Sequence, residues 1–293
     1  MIDQGRARWQ RGERFSCGSG CAVLGDEGSA DEAVRLADLA AMRLLDHPGD
    51  AEQYLRQALS FGANALPAEH LARLSSQLVM VMSGQPGREA ELAAAAQEAA
   101  ARWAGISEAD TVHLTFVAAR ALHRAGQHSE AAVAFAGPIG AGEAPYPPAE
   151  MALVFGQYGR SLKLLGRHRE AARQFIEGAR LVQHDPARME LQAELAWSAA
   201  AALDSCGEDD QAQVVYRRAA RLWGELGQVS KRARCLRSAA WLDYWSSPAE
   251  SEGPAAMRGL LDELEQLERA APSAEIQIEL THTRRQLADM LEQ

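Results

Sequence analysis

The chain writes Gly-x-His-x-Glu-Ala-Ala-x-x-Phe twice, as GQHSEAAVAF over residues 126–135 and as GRHREAARQF over 166–175. Self-similarity at a fixed period constrains a fold more than composition does, because stacked units build a core that one globule does not need. Extending the echo, Ala131 and Ala171 share their slot with Ala212 in DDQAQVVYRRA downstream and with Ala90 and Ala51 upstream. The intervals 51 to 90, 90 to 131, 131 to 171 and 171 to 212 are 39, 41, 40 and 41 residues. A sixth unit follows if SKRARCLRSAAWLDYW pairs with PAAMRGLLDELEQL across a longer connection at 246–254, with Ala256 in the slot.

The fourth unit shows the internal pattern most clearly. Phe155, Tyr158, Leu162 and Leu165 recur at the spacing of an amphipathic helix, and Gly159 among them makes room for a close neighbour. Gly166 ends that helix, and Ala171, Phe175, Gly178 and Val182 form the stripe of a second one. A turn of a few residues forces the two helices to run antiparallel. One pair cannot bury its stripes alone, so pairs must stack and the fold class is all-α. After Pro272, Ile276, Leu280, Thr283, Leu287 and Leu291 line one face of a final helix, expected to cap the array over 272–293.

The arrangement resembles the tetratricopeptide repeat, whose slots read here Phe155, Gly159, Ala171, Phe175, Gly178 and, a few residues late, Pro186. Ala119, Ala131 and Phe135 match in the third unit, and Ala200, Ala212, Tyr216 and Ala219 in the fifth, while Leu55 and Ala94 stand where the first two units should carry an aromatic. The period near 40 exceeds the usual one and is similar to the variant in sensor portions of large bacterial regulators. The resemblance implies a right-handed α-solenoid of about six helix pairs over residues 31–271. Residues 1–30, glycine-rich and without apolar period, are expected to be a disordered stub, and AGPIGAGEAPYPPA at 136–149 is expected to be a hinge.

Composition excludes more than it suggests. With 30 Lys+Arg against 40 Asp+Glu the formal net charge is −10, which argues against direct nucleic-acid binding over the whole surface. No run approaches the roughly 18 apolar residues of a membrane span, and no apolar core follows the arginines of the first positions as a signal peptide requires, so a cytoplasmic protein is expected. Cys17, Cys21, Cys206 and Cys235 are too scattered for a disulfide framework, and Cys17 and Cys21 lack the second ligand pair of a zinc site. Nucleophile elbows, phosphate loops and paired histidines at metal-ligand spacing are absent, so no cofactor, metal or catalysis is expected. Glu263, Glu265 and Glu268 fall at spacings that pair with Arg258 or Arg269 on a solvated face. His128 and His168 fall in the turns between helices, where a repeated structural position explains them.

One constellation is less bland. Arg120, His123 and Arg124 lie off the apolar stripe of a first helix, and Arg160 and Lys163 take the places of Arg120 and His123 forty residues on. The resemblance implies that this side of the first helix lines a concave groove, which Phe116 and Trp197 would join. A groove of this kind suits a protein or peptide partner, acidic by charge, against the alternative that the patch is an ordinary solvated helix face. The family's carboxylate clamp for chaperone C-termini needs asparagines, and Asn64 is the only one here. The expected function is a non-catalytic binding scaffold, with a peptide or small-ligand sensor module as the second reading and a helical enzyme as the third.

Overall fold

The computed structural model describes residues 27–247 and 250–292. The expected stub at 1–30, with Cys17 and Cys21, lies outside the described residues except for its last positions. Those are helical, because α1 (Glu27–Arg43) starts before the first apolar stripe residue. Two compact units, Met1–Tyr146 and Pro147–Gln293, make up the chain. The first holds α1, α2 (Pro48–Gly62), α3 (Ala68–Ser83), α4 (Glu89–Trp103), α5 (Glu108–Arg124) and α6 (His128–Gly140). The second holds α7 (Pro148–Leu164), α8 (His168–Leu181), α9 (Met189–Asp204), α10 (Asp209–Glu225), α11 (Val229–Ser246), α12 (Gly253–Ala270) and α13 (Ala274–Leu291). Among the described residues there is no strand.

Within each unit a helix packs on the one before it and the one after it, and α13 packs on both α11 and α12. The small residues of the repeat are the contact points. Ala51, Ala131, Ala171 and Ala212, each the fourth residue of a second helix, are all 0% exposed. Phe175 fills the space over Gly159, where an added Cβ would lie 2.8 Å from its ring. In the third repeat Phe135 is buried with Ala119 at the equivalent place.

The turns explain why the echo is so literal there. Gly126 and Gly166 adopt φ of 76° and 74°, a left-handed conformation that a Cβ disfavours. Behind each, the next N–H reaches back five residues, Gln127 to Leu122 O at 3.0 Å and Arg167 to Leu162 O at 2.9 Å. This closes the first helix by a Schellman motif and launches the second at a fixed angle. His128 and His168 are then the first residues of α6 and α8.

Three sequence expectations need correction. Ala90 and Ala256 are exposed. Leu92 and Met257 are the buried residues that occupy the slot, because the turns before α4 and α12 are longer than their counterparts. The Pro/Gly-rich stretch from 136 is helical as far as Gly140, with Pro138 inside α6, so only 141–147 is loop. On α13, Met290 is buried in place of Leu291, which is 55% exposed.

Glu263, Glu265 and Glu268 also pair differently from the expectation. Glu263 binds Arg232 of α11, and Glu265 binds Arg284 of α13 at 2.7 Å. Glu268 accepts from the Ser273 backbone and Gln277, and Arg269 donates to the Glu265 carbonyl. For Glu263 and Glu265 a neighbouring helix, not their own, supplies the arginine.

Two buried carboxylates tie the repeats together. Glu52 accepts from Arg88 at 2.7 and 3.0 Å, from Arg56 at 3.0 Å and from Gln85 at 3.1 Å. The Arg88 hydrogen bonds outweigh burial and hold the Glu52 carboxyl down at about 2. Glu279 on α13, 0% exposed, accepts from Arg234 at 2.7 Å, Arg237 at 2.5 Å and Ser230 at 3.1 Å, all on α11.

Candidate interaction face

In the fourth repeat the first helix, α7, leaves one stripe facing outward between its buried sides. On α7 that stripe is Leu153, Gln157, Arg160 and Leu164, at spacings of four, three and four; Leu153 is 41% and Leu164 66% exposed. The repeat register carries the stripe onto the other first helices. Arg160 corresponds to Arg120 forty residues earlier, to Ala201 forty-one later and to Trp241 forty beyond that.

The candidate residues therefore separate. In the first unit, Arg124 is exposed, while Arg120 and His123 are half-buried. The His123 ring lies 5.5 Å from that of His128, against the turn into α6. In the second unit, Arg160 and Lys163 are exposed, and no carboxylate among the described residues forms an ion pair with either. The two halves of the basic patch thus belong to different compact units.

Phe116 does not line a groove. It is 0% exposed, with ring centroids of Phe135 and Tyr146 at 6.5 and 5.8 Å. Its register position faces the seam between repeats rather than solvent: the equivalent Gly156 on α7 meets Leu195 of α9, 3.0 Å from where a Cβ would be. In the first unit Tyr146 covers that position, held by a 2.9 Å hydrogen bond between its hydroxyl and His113 Nδ1. Trp197 occupies the same register position on α9 and is half-buried, so it belongs to the edge of the seam.

Sequence reasoning missed the continuation of the stripe onto α11. There the open positions are Arg234, Ser238, Trp241 and Trp245, in register with Leu153, Gln157, Arg160 and Leu164. The Trp241 and Trp245 ring centroids are 5.5 Å apart, and Trp245 is 42% exposed. Adding the repeat interval once more to Arg160 and Leu164 reaches Ala201 and Ser205, and a second time reaches both tryptophans. On α9, Glu194 takes the Leu153 place on the stripe and is answered by Lys231 at 2.8 Å, with Glu190 3.8 Å from the same ammonium.

Among the described residues no three His, Cys, Asp or Glu side chains converge as metal ligands. Cys235 is 0% exposed and burial pushes its thiol up to about 12, the state of a packing residue. Cys206 is half-buried in the turn after α9. No helix among the described residues is long and apolar enough to cross a membrane.

No protein-family model matches the chain, and no curated protein matches it in sequence. Solved structures do match in fold. The apo form of RapI is 12% identical, with 88% of this chain and 99% of that one covered and a TM-score of 0.50. A signal-transduction ATPase with numerous domains, carrying a tetratricopeptide repeat sensor, from Pyrococcus horikoshii, is 10% identical at a TM-score of 0.50. That match covers 86% of this chain and 38% of the ATPase. With the helix pairs and their period already described, the fold is a tetratricopeptide-like array in a long-period form.

Proposed function

We propose that the chain is a non-catalytic binding module that takes an acidic protein or peptide segment on the open face of its first helices. The observation that carries this reading is the α7 stripe, where exposed Leu153 and Leu164 flank Arg160, with Lys163 beside it. Neither cation has a carboxylate partner among the described residues, in a chain of net charge −10. An acidic ligand relieves that local excess, and an arginine fork holds a carboxylate with two hydrogen bonds. Exposed leucines beside it favour a ligand with apolar side chains over a bare anion. A soluble cytoplasmic partner accords with this chemistry.

A second reading, a sensor module, draws on the Pyrococcus horikoshii protein, whose repeat portion is described as a sensor. It shares the same face and differs only in what happens after binding. The test is an array of short synthetic peptides of graded acidity probed with the purified chain. Acidic peptides should be retained, less so as salt rises, and the double variant Arg160→Glu, Lys163→Glu should lose them while its circular dichroism matches the parent. Equal retention by parent and variant refutes the assignment.

A further inference from the structure

We propose that the open face of α11 is a second subsite for the same bound segment: Trp241 and Trp245 take a bulky aromatic side chain, and Arg234 takes a carboxylate next to it. This rests on the reading above and adds what the ligand must carry. The two indoles are one helical turn apart on the open stripe, tilted by 60° to one another. A half-exposed tryptophan pair on an otherwise polar stripe leaves apolar area in water that a ligand ring removes.

The platform is held from behind. Trp241 packs on the cluster of Tyr244, Met257, Leu287 and Met290, and Tyr244 meets Trp245 edge-on at 5.3 Å. The loop after α11 is pinned to its base: Ser251 donates to Asp243 at 2.7 Å and accepts from the Gly253 N–H at 2.8 Å. A Cβ at Gly253 would lie 2.5 Å from the Ala240 carbonyl, so α12 closes on α11 only with glycine there. A fixed platform loses little conformational freedom when a ligand arrives.

Charge fixes the rest of the ligand. Arg234 gives Glu279 only its Nε and shares that carboxylate with Arg237, and its side chain is 47% exposed, so its terminal N–H groups can meet a second carboxylate. Arg234 and Trp241 are seven residues apart, about 10 Å along a helix, which an extended peptide spans in about three residues. The ligand is therefore an acidic peptide in which a carboxylate and an aromatic side chain stand about three residues apart.

The experiment uses the full chain and two fluorescein-labelled peptides of glutamate and serine, identical except that one carries phenylalanine three residues after a glutamate where the other carries serine. Fluorescence anisotropy should show the phenylalanine peptide binding about tenfold more tightly. In Trp245→Ala, with helical circular dichroism matching the parent, that advantage should fall to about unity, a coupling that a mere loss of stability does not produce. If the parent binds both peptides equally, or Trp245→Ala keeps the advantage, the subsite is refuted and the acidic-face reading stands. If the parent binds neither peptide, both readings fall.

Discussion

Replacing Glu279 by glutamine tests the packing of the last repeat at its most costly point. The substitution keeps the shape of the side chain and removes its charge, so Arg234 and Arg237 lose their common carboxylate. Arg234 is 47% exposed and keeps its hydration, so its share is about 0 to 1 kcal/mol. Arg237 is only 14% exposed and is left facing a neutral amide. Breaking a buried pair from one side costs about 3 to 5 kcal/mol. Because one of the two partners is solvated, the lower end, about 3 kcal/mol, is expected. At roughly 2 to 4 °C per kcal/mol for a unit of this size, the transition of the second unit should fall by about 6 to 12 °C in scanning calorimetry.

Hydrogen exchange should localise the Glu279→Gln loss to α11 and α13. Burial pushes the Glu279 carboxyl up, but the hydrogen bonds from Arg234 and Arg237 outweigh it and leave the group below its ordinary 4.5. A carboxyl depressed by folding stabilises fully above its unfolded value and loses that contribution as pH falls through the folded one. The parent should therefore lose stability below about pH 4.5 faster than Glu279→Gln does. A variant within about 0.5 kcal/mol of the parent at pH 7, with the same acid limb, would refute the buried-pair reasoning.

Glu52, held at about 2 chiefly by Arg88, stabilises the first unit above the ordinary carboxyl value of 4.5 and should lose that contribution as pH falls from there towards 2. In urea melts across that window, Glu52→Gln should flatten the acid limb of the first unit's transition. Phe175→Ala should cost about 3 to 5 kcal/mol and Gly159→Ala about 1 to 3, the first by leaving a cavity and the second by crowding the same ring. Chemical denaturation checks both, and a loss near zero in either would put the repeat register wrong. Cys235 should stay unmodified by iodoacetamide at pH 8 in the native chain, and labelling at the rate of the unfolded chain would contradict its burial and raised pKa.

Helices and their order were legible because each repeat marks its own turn. Gly126 and Gly166 fix the C-terminus of a first helix, and Ala131, Ala171 and Phe175 fix the buried face of the second, so periodicity and backbone chemistry agree. Where the turn changes length, the register slips: nothing local distinguishes Ala90 from Leu92 as the slot residue until the length of the preceding loop is known. Pro138 reads as a helix breaker, yet helix α6 carries it within its last turn.

At the candidate face, periodicity set Arg160 and Lys163 off the apolar stripe, and both are exposed, but it could not separate the open stripe from the seam beside it. One helical position, about 100° around the axis, distinguishes Val117 from Phe116, and both are apolar. Glu279 was invisible for a different reason. A glutamate on a helix is ordinarily solvated, and only the three-dimensional approach of α11 makes it buried and paired.

The central claim is that one register of about 40 residues decides which side chains of the first helices face a ligand. The most direct measurement is maleimide labelling of single cysteines, in a background lacking the native ones, at Val117, Ser198 and Ser238 on the open stripe and at Ala118, Ala199 and Ala239 beside it. The first three positions are half-buried and the native residues of the second three at most 3% exposed, so register predicts labelling at each of the first three well above that of its protected neighbour. Equal rates within each neighbouring pair, or protection that moves to the other side from one helix to the next, would contradict it.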